Sequence, residues 1–324
     1  MNKIKIGIVG YGNLGRGVEA GLKNHSDMEL TGIFTRRDPA LLKTDSPAYS
    51  FDNILDFQEK IDVLILCGGS KKDIPAQAPK LLEKFNTVDS YDIHESIPNY
   101  YKKMNEIAKD NKTVAVISTG WDPGLFSVNR LFQEAILPKG NTYTFWGRGV
   151  SQGHSDAVRG IEGVVEAAQY TVPDQLMIND IQKGKDVDYT AKKAHKRDVY
   201  VVLKEDASPN AVEKQIKEMP DYFEGYETNV NFISQKEFNE KHQSMPHGGR
   251  VIRQGQTSER ESSVIDFSLH LESNPEFTAA VDIAYARAAY QISKEKEFGA
   301  RTVLDIAPSY LSSKTNEELI KELL

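Results

Sequence analysis

The run KIKIGIVGYGNLG, Lys3 to Gly15, constrains this chain more than any other stretch. Ile4, Ile6, Ile8 and Val9 make a short, apolar, β-branched run of the length of a central parallel strand covered on both faces. Glycine ends it. Gly10, Gly12 and Gly15 then read G-x-G-x-x-G. The first glycine permits a tight turn, the second lets a pyrophosphate approach the backbone, and the third lets helix and strand pack closely. Leu14, Val18 and Leu22 follow at fourth-residue spacing, so the turn opens into an amphipathic helix over about Arg16 to Lys23, its N-terminus aimed at the phosphates. Strand, glycine turn and helix in this order predict a dinucleotide site, with Tyr11, Asn13 and Leu14 belonging to the same turn. The alternative is a glycine-rich βα turn that binds nothing.

Length and charge narrow the partners. At 324 residues the chain has material for roughly two domains, each with its own core. A hydrophobic share of 39% and a charged share of 27% are those of an ordinary globular protein. The formal net charge of −7 argues against nucleic acid, whose binding rests on basic surface, and favours a small substrate. No run approaches the ~18 apolar residues of a membrane span, and a strand that begins within three residues of the start leaves no room for a signal peptide. The single cysteine, Cys67, forms no intrachain disulfide, which suits a reducing cytoplasm. It ends an apolar run and reads as a buried strand-end thiol rather than a nucleophile.

Met28 to Thr35 is a second strand, and its end carries coenzyme information. An acidic residue there bonds a ribose 2′-hydroxyl, whereas arginine suits a 2′-phosphate. The chain has Thr35, Arg36 and Arg37, two guanidinium forks beside a hydroxyl, which favours NADP(H) over NAD; two solvated arginines at a strand end are the bland reading. Lys60 to Gly69 gives a third strand, with Cys67, Gly68, Gly69 and Ser70 at its cofactor-facing end. A helix from about Pro75 to Phe85, a strand at Thr87 to Ser90, a helix at Pro98 to Lys109 and a strand at Thr113 to Ser118 continue the alternation. That pattern predicts an α/β fold with a Rossmann-like, doubly wound parallel sheet, ligands lying beyond the carboxyl ends of its strands. Two loops leave those ends carrying acids: Ser90-Tyr91-Asp92 and Gly120-Trp121-Asp122-Pro123-Gly124.

Beyond residue 120 the pattern changes. Strand candidates are Tyr143 to Val150, Val199 to Lys204, Glu227 to Ile233, Gly249 to Gln256 and Ser263 to Glu272, with helices near Asp156 to Ala168 and Asn210 to Met219. They predict an α+β second domain built on one antiparallel or mixed sheet with helices on one face. An alanine-rich helix from Phe277 and a short one over Asn316 to Leu324 return the chain to the first domain. The expected division is 1–120, with helices over about 277–324, and 121–276. Polar clusters mark the second part. Glycines around Gln152 and Gly153 suggest amides open to an anion, and Arg197 and His247 suggest a fork and a donor for a carboxylate. His195-Lys196-Arg197 also reads as a solvated turn, and His247 as a loop cap. No metal is expected, because His154-x-Asp156 has no third ligand at a familiar spacing.

These motifs together resemble the meso-diaminopimelate D-dehydrogenase family. The resemblance runs through GIVGYGNLGR (7–16), GIFTRR (32–37), VDSYDIH (88–94), STGWDPG (118–124), TFWGRGVSQGHSDA (144–157), a QYTVP turn (169–173), HKR (195–197), MPDYFEGYE (219–227), MPHGG (245–249) and NPEFTA (274–279). Arg148 stands where the resemblance would put proline, beside the pocket sequence and replacing no ligand. It implies a cytoplasmic homodimer, with a dimerisation region in the substrate-binding domain, that oxidatively deaminates meso-2,6-diaminopimelate at its D-centre with NADP+. The products are L-2-amino-6-oxopimelate, ammonium and NADPH, within lysine and cell-wall precursor metabolism. It further implies Asp92 and Asp122 at the reacting centre and Trp146, beside Trp121, lining the pocket. Gln152 and Gly153 would bind the D-side carboxylate, and Thr171, Arg197, His247 and Asn274 the distal L-end. Two other readings of the residues stay open here. One is an NADP-dependent reductase of another small polar substrate, which needs no amine-binding acid pair; the other is an NADPH-sensing regulator, which predicts binding without turnover.

Overall fold

A computed structural model describes residues 3–324 and divides into two compact units. The first comprises the chain through Val128 together with Pro275–Leu324, and the second Asn129–Asn274. Both crossings fall within or at the edge of helices, Leu125–Ile136 and Asn274–Lys294, so no linker composition marks them in the sequence.

The first unit holds strands β1 (Ile4–Val9), β2 (Met28–Thr35), β3 (Ala48–Ser50), β4 (Val63–Leu66), β5 (Asn86–Asp89) and β6 (Val114–Val116), and a C-terminal strand Gly299–Arg301. All pair in parallel, in the order Gly299–Arg301, β6, β5, β4, β1, β2, β3. Alternation sorts the side chains. Ile6, Ile8, Val63, Ile65, Val114 and Val116 enter one core with helix α1 (Asn13–Leu22) and the long helix Asn274–Lys294. Val9, Leu64, Leu66, Ala115 and Ile117 enter another with α2 (Asp73–Leu82) and α3 (Ile97–Asn111). A sheet buried on both faces is what continuous apolar strands require. The chain winds one way from β1 to β3 and the other from β4 to β6, so the switch point lies between β1 and β4. The two strands that periodicity did not reveal, β3 and Gly299–Arg301, have three residues each, too few to show a period.

The second unit departs from expectation in several places. Its strands β7 (Lys139–Trp146), β8 (Gly149–Val150), β9 (Val164–Pro173), β10 (His195–Leu203), β11 (Glu227–Phe232), β12 (His247–Ser258) and β13 (Glu261–Leu271) form two sheets rather than one. One is the mixed four-stranded β11-β10-β9-β8, and the other the antiparallel β13-β12-β7. The single strand expected over Tyr143 to Val150 breaks between β7 and β8, where the chain passes from one sheet to the other. Gly147 takes φ +105° there, and a Cβ on it would lie 2.0 Å from the Thr171 carbonyl oxygen. The helix expected over Asp156 to Ala168 is Gln152–Arg159; turns at Gly160 and Gly163 end it, and β9 follows. The QYTVP segment is therefore the end of β9 rather than a turn. The alanines of GVVEAA read as helical, but Ala167 and Ala168 are buried strand residues. His195 and Arg197 open β10 and are buried, so the solvated-turn alternative does not hold.

Candidate active site

Three strand ends of the first unit surround a cleft of about 550 Å³. Gly10, at φ +92°, turns the chain at the end of β1 and donates its N–H to the Phe34 carbonyl at 2.8 Å. A Cβ on Gly15 would come within 2.3 Å of the Gly10 oxygen, whereas one on Gly12 would meet nothing within 4 Å. The middle glycine therefore faces open space, and the third is tied to the close approach of helix and strand. Helix α1 begins with no side-chain cap and no acid in its first turn, leaving its amide end available to an anion.

Gly10, Tyr11, Gly12, Thr35, Arg36, Arg37, Cys67, Gly68 and Gly69 all line this cleft. Arg37 Nη2 donates to the Tyr11 carbonyl at 2.5 Å, and its backbone N–H to Thr35 Oγ1 at 3.1 Å. Arg36 instead meets Asp73 at 2.7 Å. Beneath Tyr11, Glu19 accepts the hydroxyls of Tyr11, Thr44 and Ser46. Burial alone would raise its carboxyl, but these hydroxyls hold it below the usual carboxylate range. Asn13, Leu14, Gly15 and Ser70 are not among the lining residues. Asn13 accepts from Arg16 at 2.6 Å, Leu14 packs on the core, and Ser70 Oγ accepts the Asp92 N–H at 3.3 Å. Cys67 lines the cleft as a thiol, because burial and the nearby Asp282 push it well above its ordinary range.

The two acidic loops hang from one buried carboxylate. Asp89 closes β5 and accepts the Tyr91 N–H at 3.0 Å, the Ser118 N–H at 3.3 Å and the Tyr100 hydroxyl at 2.7 Å. Its carbonyl accepts the Thr119 N–H at 2.9 Å. The segment leading to Asp92 and the one leading to Asp122 are thus fastened to the same residue. Thr119 Oγ1 lies between the Asp89 carbonyl and the Asp282 carboxyl. Burial pushes Asp89 up to about 6 and Asp282 up to about 8, Asp89's charge adding to the latter. Asp92 itself is exposed and Asp122 half-buried. Trp121 packs edge-on against Phe126 at 5.2 Å, and the Leu125 N–H closes the loop on the Gly120 carbonyl at 2.9 Å.

The second unit assembles its own polar cluster across strands. Thr171 on β9 faces Arg197 on β10, and Arg197 Nη1 donates to Thr171 Oγ1 at 2.5 Å. Tyr226 carries the guanidinium on its ring face at 4.2 Å, and Arg197 Nε is buried without a hydrogen-bond partner among the described residues. A carboxylate ligand would satisfy such a group. The Trp146 N–H donates to His195 Nε2 at 2.9 Å while the other ring nitrogen lies 2.9 Å from the Ala191 carbonyl, so a neutral His195 fixes the end of β7. Burial holds His195 and His247 below the ordinary histidine range. His247 sits directly over Gly149, where a Cβ would come within 2.4 Å of its ring. Gln152 reaches Met245 Sδ at 2.8 Å, and the Asn274 N–H donates to the Met245 carbonyl at 3.0 Å. Gly153 is exposed, with open space where a Cβ would stand.

Comparison with known proteins gives the family and the fold. A family model described as "Diaminopimelic acid dehydrogenase C-terminal domain" matches residues 120–273. The meso-diaminopimelate D-dehydrogenase of Ureibacillus thermosphaericus is 52% identical over 326 residues, covering 100% of both chains. This chain belongs to the meso-diaminopimelate D-dehydrogenase family. Among solved structures, a multiply substituted meso-diaminopimelate dehydrogenase of Clostridium tetani with DAP is similar at TM-score 0.94 and 49% identity, covering 99% of this chain and 100% of that one. An engineered D-amino acid dehydrogenase bound to NADP+ is similar at TM-score 0.87 and 43% identity, covering 100% of each chain.

Within this dehydrogenase fold, sequence reasoning missed several residues that support the cleft and the polar cluster. Asp73, Phe51 and Gln77 also line the cleft, and Tyr226 and His195 brace Arg197 and Trp146. Asp89 lies within the expected strand Thr87 to Ser90, but nothing local says that it is buried. Arg148 pairs with Asp198 at 2.9 Å and lies 4.9 Å over the Tyr170 ring.

Proposed function

We propose that this chain catalyses the reversible, NADP-dependent oxidative deamination of meso-2,6-diaminopimelate at its D-centre. The products are L-2-amino-6-oxopimelate, ammonium and NADPH. One observation carries the reading: two loops bearing Asp92 and Asp122 leave adjacent strand ends of the sheet whose switch point holds the arginine-lined cleft. The names of relatives covering the whole chain support the same chemistry. The cradle around Gly12, the uncapped end of α1, and Thr35 and Arg37 fit a coenzyme carrying a 2′-phosphate.

NADP+, when bound, supplies the acceptor for the hydride leaving the amine-bearing carbon. The protein prepares that carbon. A substrate ammonium has no lone pair to push out a hydride, so Asp92 accepts its proton, directly or through water, while Asp122 holds the nitrogen. The Asp122 carboxylate stabilises the positive C=N group left on the substrate, to which water adds before ammonium leaves. Gln152 and Gly153 are assigned to the D-side carboxylate, and Trp121 and Trp146 to the pocket wall. Thr171, Arg197, His247 and Asn274 take the distal L-end, which lets one of two chemically identical halves react. We further assign the reaction to the cytoplasm and to lysine precursor metabolism. A homodimer is proposed as well, supported by exposed Leu131, Phe132 and Ile136 on the helix Leu125–Ile136.

Nicotinamide absorbance tests the reading, with meso-diaminopimelate, its L,L isomer and simple D-amino acids each offered with NADP+ and NAD+. Turnover confined to the meso substrate and NADP+ is expected. Equal rates with the L,L isomer, or no ammonium-dependent reverse reaction, would overturn it. Light scattering on the eluted protein measures the dimer.

A further inference from the structure

The coenzyme cleft holds an acid that none of these steps uses. Asp73, the first residue of α2, lines the cleft, and its two carboxylate oxygens are both engaged there. Oδ1 takes the Arg36 guanidinium at 2.7 Å, and Oδ2 takes the Gly69 N–H at 3.1 Å. A guanidinium and a free turn amide are the donors that bind phosphate oxygens. Asp73 thus occupies, from within the chain, the position of an anion.

We infer that Asp73 is an internal counter-anion that competes with the coenzyme's 2′-phosphate for Arg36 and so sets NADP affinity and the ease of release. The inference rests on placing the 2′-phosphate at Thr35 to Arg37. The pair is accessible to exchange, since the Arg36 side chain is 64% exposed and Asp73 27%. An exposed pair of this kind shifts a binding equilibrium by only a few-fold, enough to weaken the coenzyme without abolishing it. A role confined to closing the Gly68–Gly69 turn makes a different prediction, because asparagine keeps an acceptor for the Gly69 N–H and would change nothing.

The test is the dissociation constant of NADP+, NAD+ and 2′,5′-ADP for the wild type, Asp73→Asn, Arg36→Ala and the double variant. Asp73→Asn should bind NADP+ and 2′,5′-ADP about fivefold more tightly and NAD+ within about twofold of wild type. In the Arg36→Ala background the same substitution should have no effect on NADP+. An unchanged or weaker NADP+ affinity, an equal gain for both coenzymes, or a gain that persists without Arg36 overturns the inference. Asp73→Ser replaces Asp73→Asn should the latter fail to fold. Failure of the underlying placement reads differently: replacing Arg36 and Arg37 together would then weaken NADP+ and NAD+ equally.

Discussion

Asp282 offers a quantitative test of the buried network behind the acidic loops. It sits fully buried on the long helix Asn274–Lys294, Oδ1 meeting the Thr119 hydroxyl and Oδ2 lacking a partner among the described residues. Desolvation, with the charge of Asp89 adding to it, lifts its carboxyl from an ordinary 3.8 to about 8. At neutral pH the folded chain therefore keeps this proton and the unfolded chain has released it. Stability falls as pH rises from about 4 to about 8, because the folded state binds more protons over that window, and it levels off above. Three pH units at about 1.4 kcal/mol each put the burden near pH 7 on the order of 4 kcal/mol. Asp282→Asn has the shape of the neutral acid, keeps an acceptor or donor toward Thr119, and has no proton to lose on unfolding. Urea denaturation at pH 5.5, 6.5 and 7.5, followed through Trp121 fluorescence in a Trp146→Phe background, should show the variant gaining on its Asp282 parent by about 1.4 kcal/mol per pH unit. A gap independent of pH would mean that Asp282 is charged in the folded protein, and the account of this network would fail.

Three further outcomes bear on the site. Asp92→Ala should lower turnover by roughly two to four orders of magnitude while coenzyme binding, measured by quenching or calorimetry, stays as in wild type; near-normal turnover removes Asp92 from the base role. Replacing Arg36 and Arg37 together with alanine should weaken NADP+ far more than NAD+ in the same titration. Arg197→Met should raise the Michaelis constant for meso-diaminopimelate about ten- to a hundredfold, the scale of lost charge-assisted hydrogen bonds, with the NADP+ constant untouched; an unchanged Michaelis constant speaks against carboxylate binding at Arg197.

Legibility in the sequence followed the range of the forces involved. The turn from β1 to α1 is written in consecutive residues, because Gly10 and Gly15 answer to local backbone geometry and close contact. The parallel sheet follows from the alternation of apolar runs and helices, and β2 has the bounds its apolar run predicts, Met28 to Thr35. In the second unit local signals misled. Val164 to Ala168 looks helical through its alanines, and only pairing with β10 and β8 decides for a strand. The break at Gly147 looks like a mere pause in one strand, because a sheet change depends on neighbours far along the chain. The Thr171–Arg197 pair, twenty-six residues apart, owes its contact to that antiparallel register, so motif resemblance could name both residues while the chain's own pattern could not join them.

The same distinction explains why the cleft's control lies in residues that no motif names. Arg36 and Arg37 announce a phosphate pocket by their type, yet the guanidinium of Arg36 is directed by Asp73, a helix-opening acid on another βα unit. Asp89 likewise joins the loop of Asp92 to that of Asp122 because a fully buried carboxylate must find donors, and the nearest are Tyr91, Ser118 and Tyr100. Tyr91 and Ser118 come one from each segment, so the need to satisfy one desolvated charge also fixes the two segments that present the acids. A substitution at Asp89 therefore disturbs both loops at once, whereas one at Asp92 or Asp122 changes a single acid and leaves the frame that carries it.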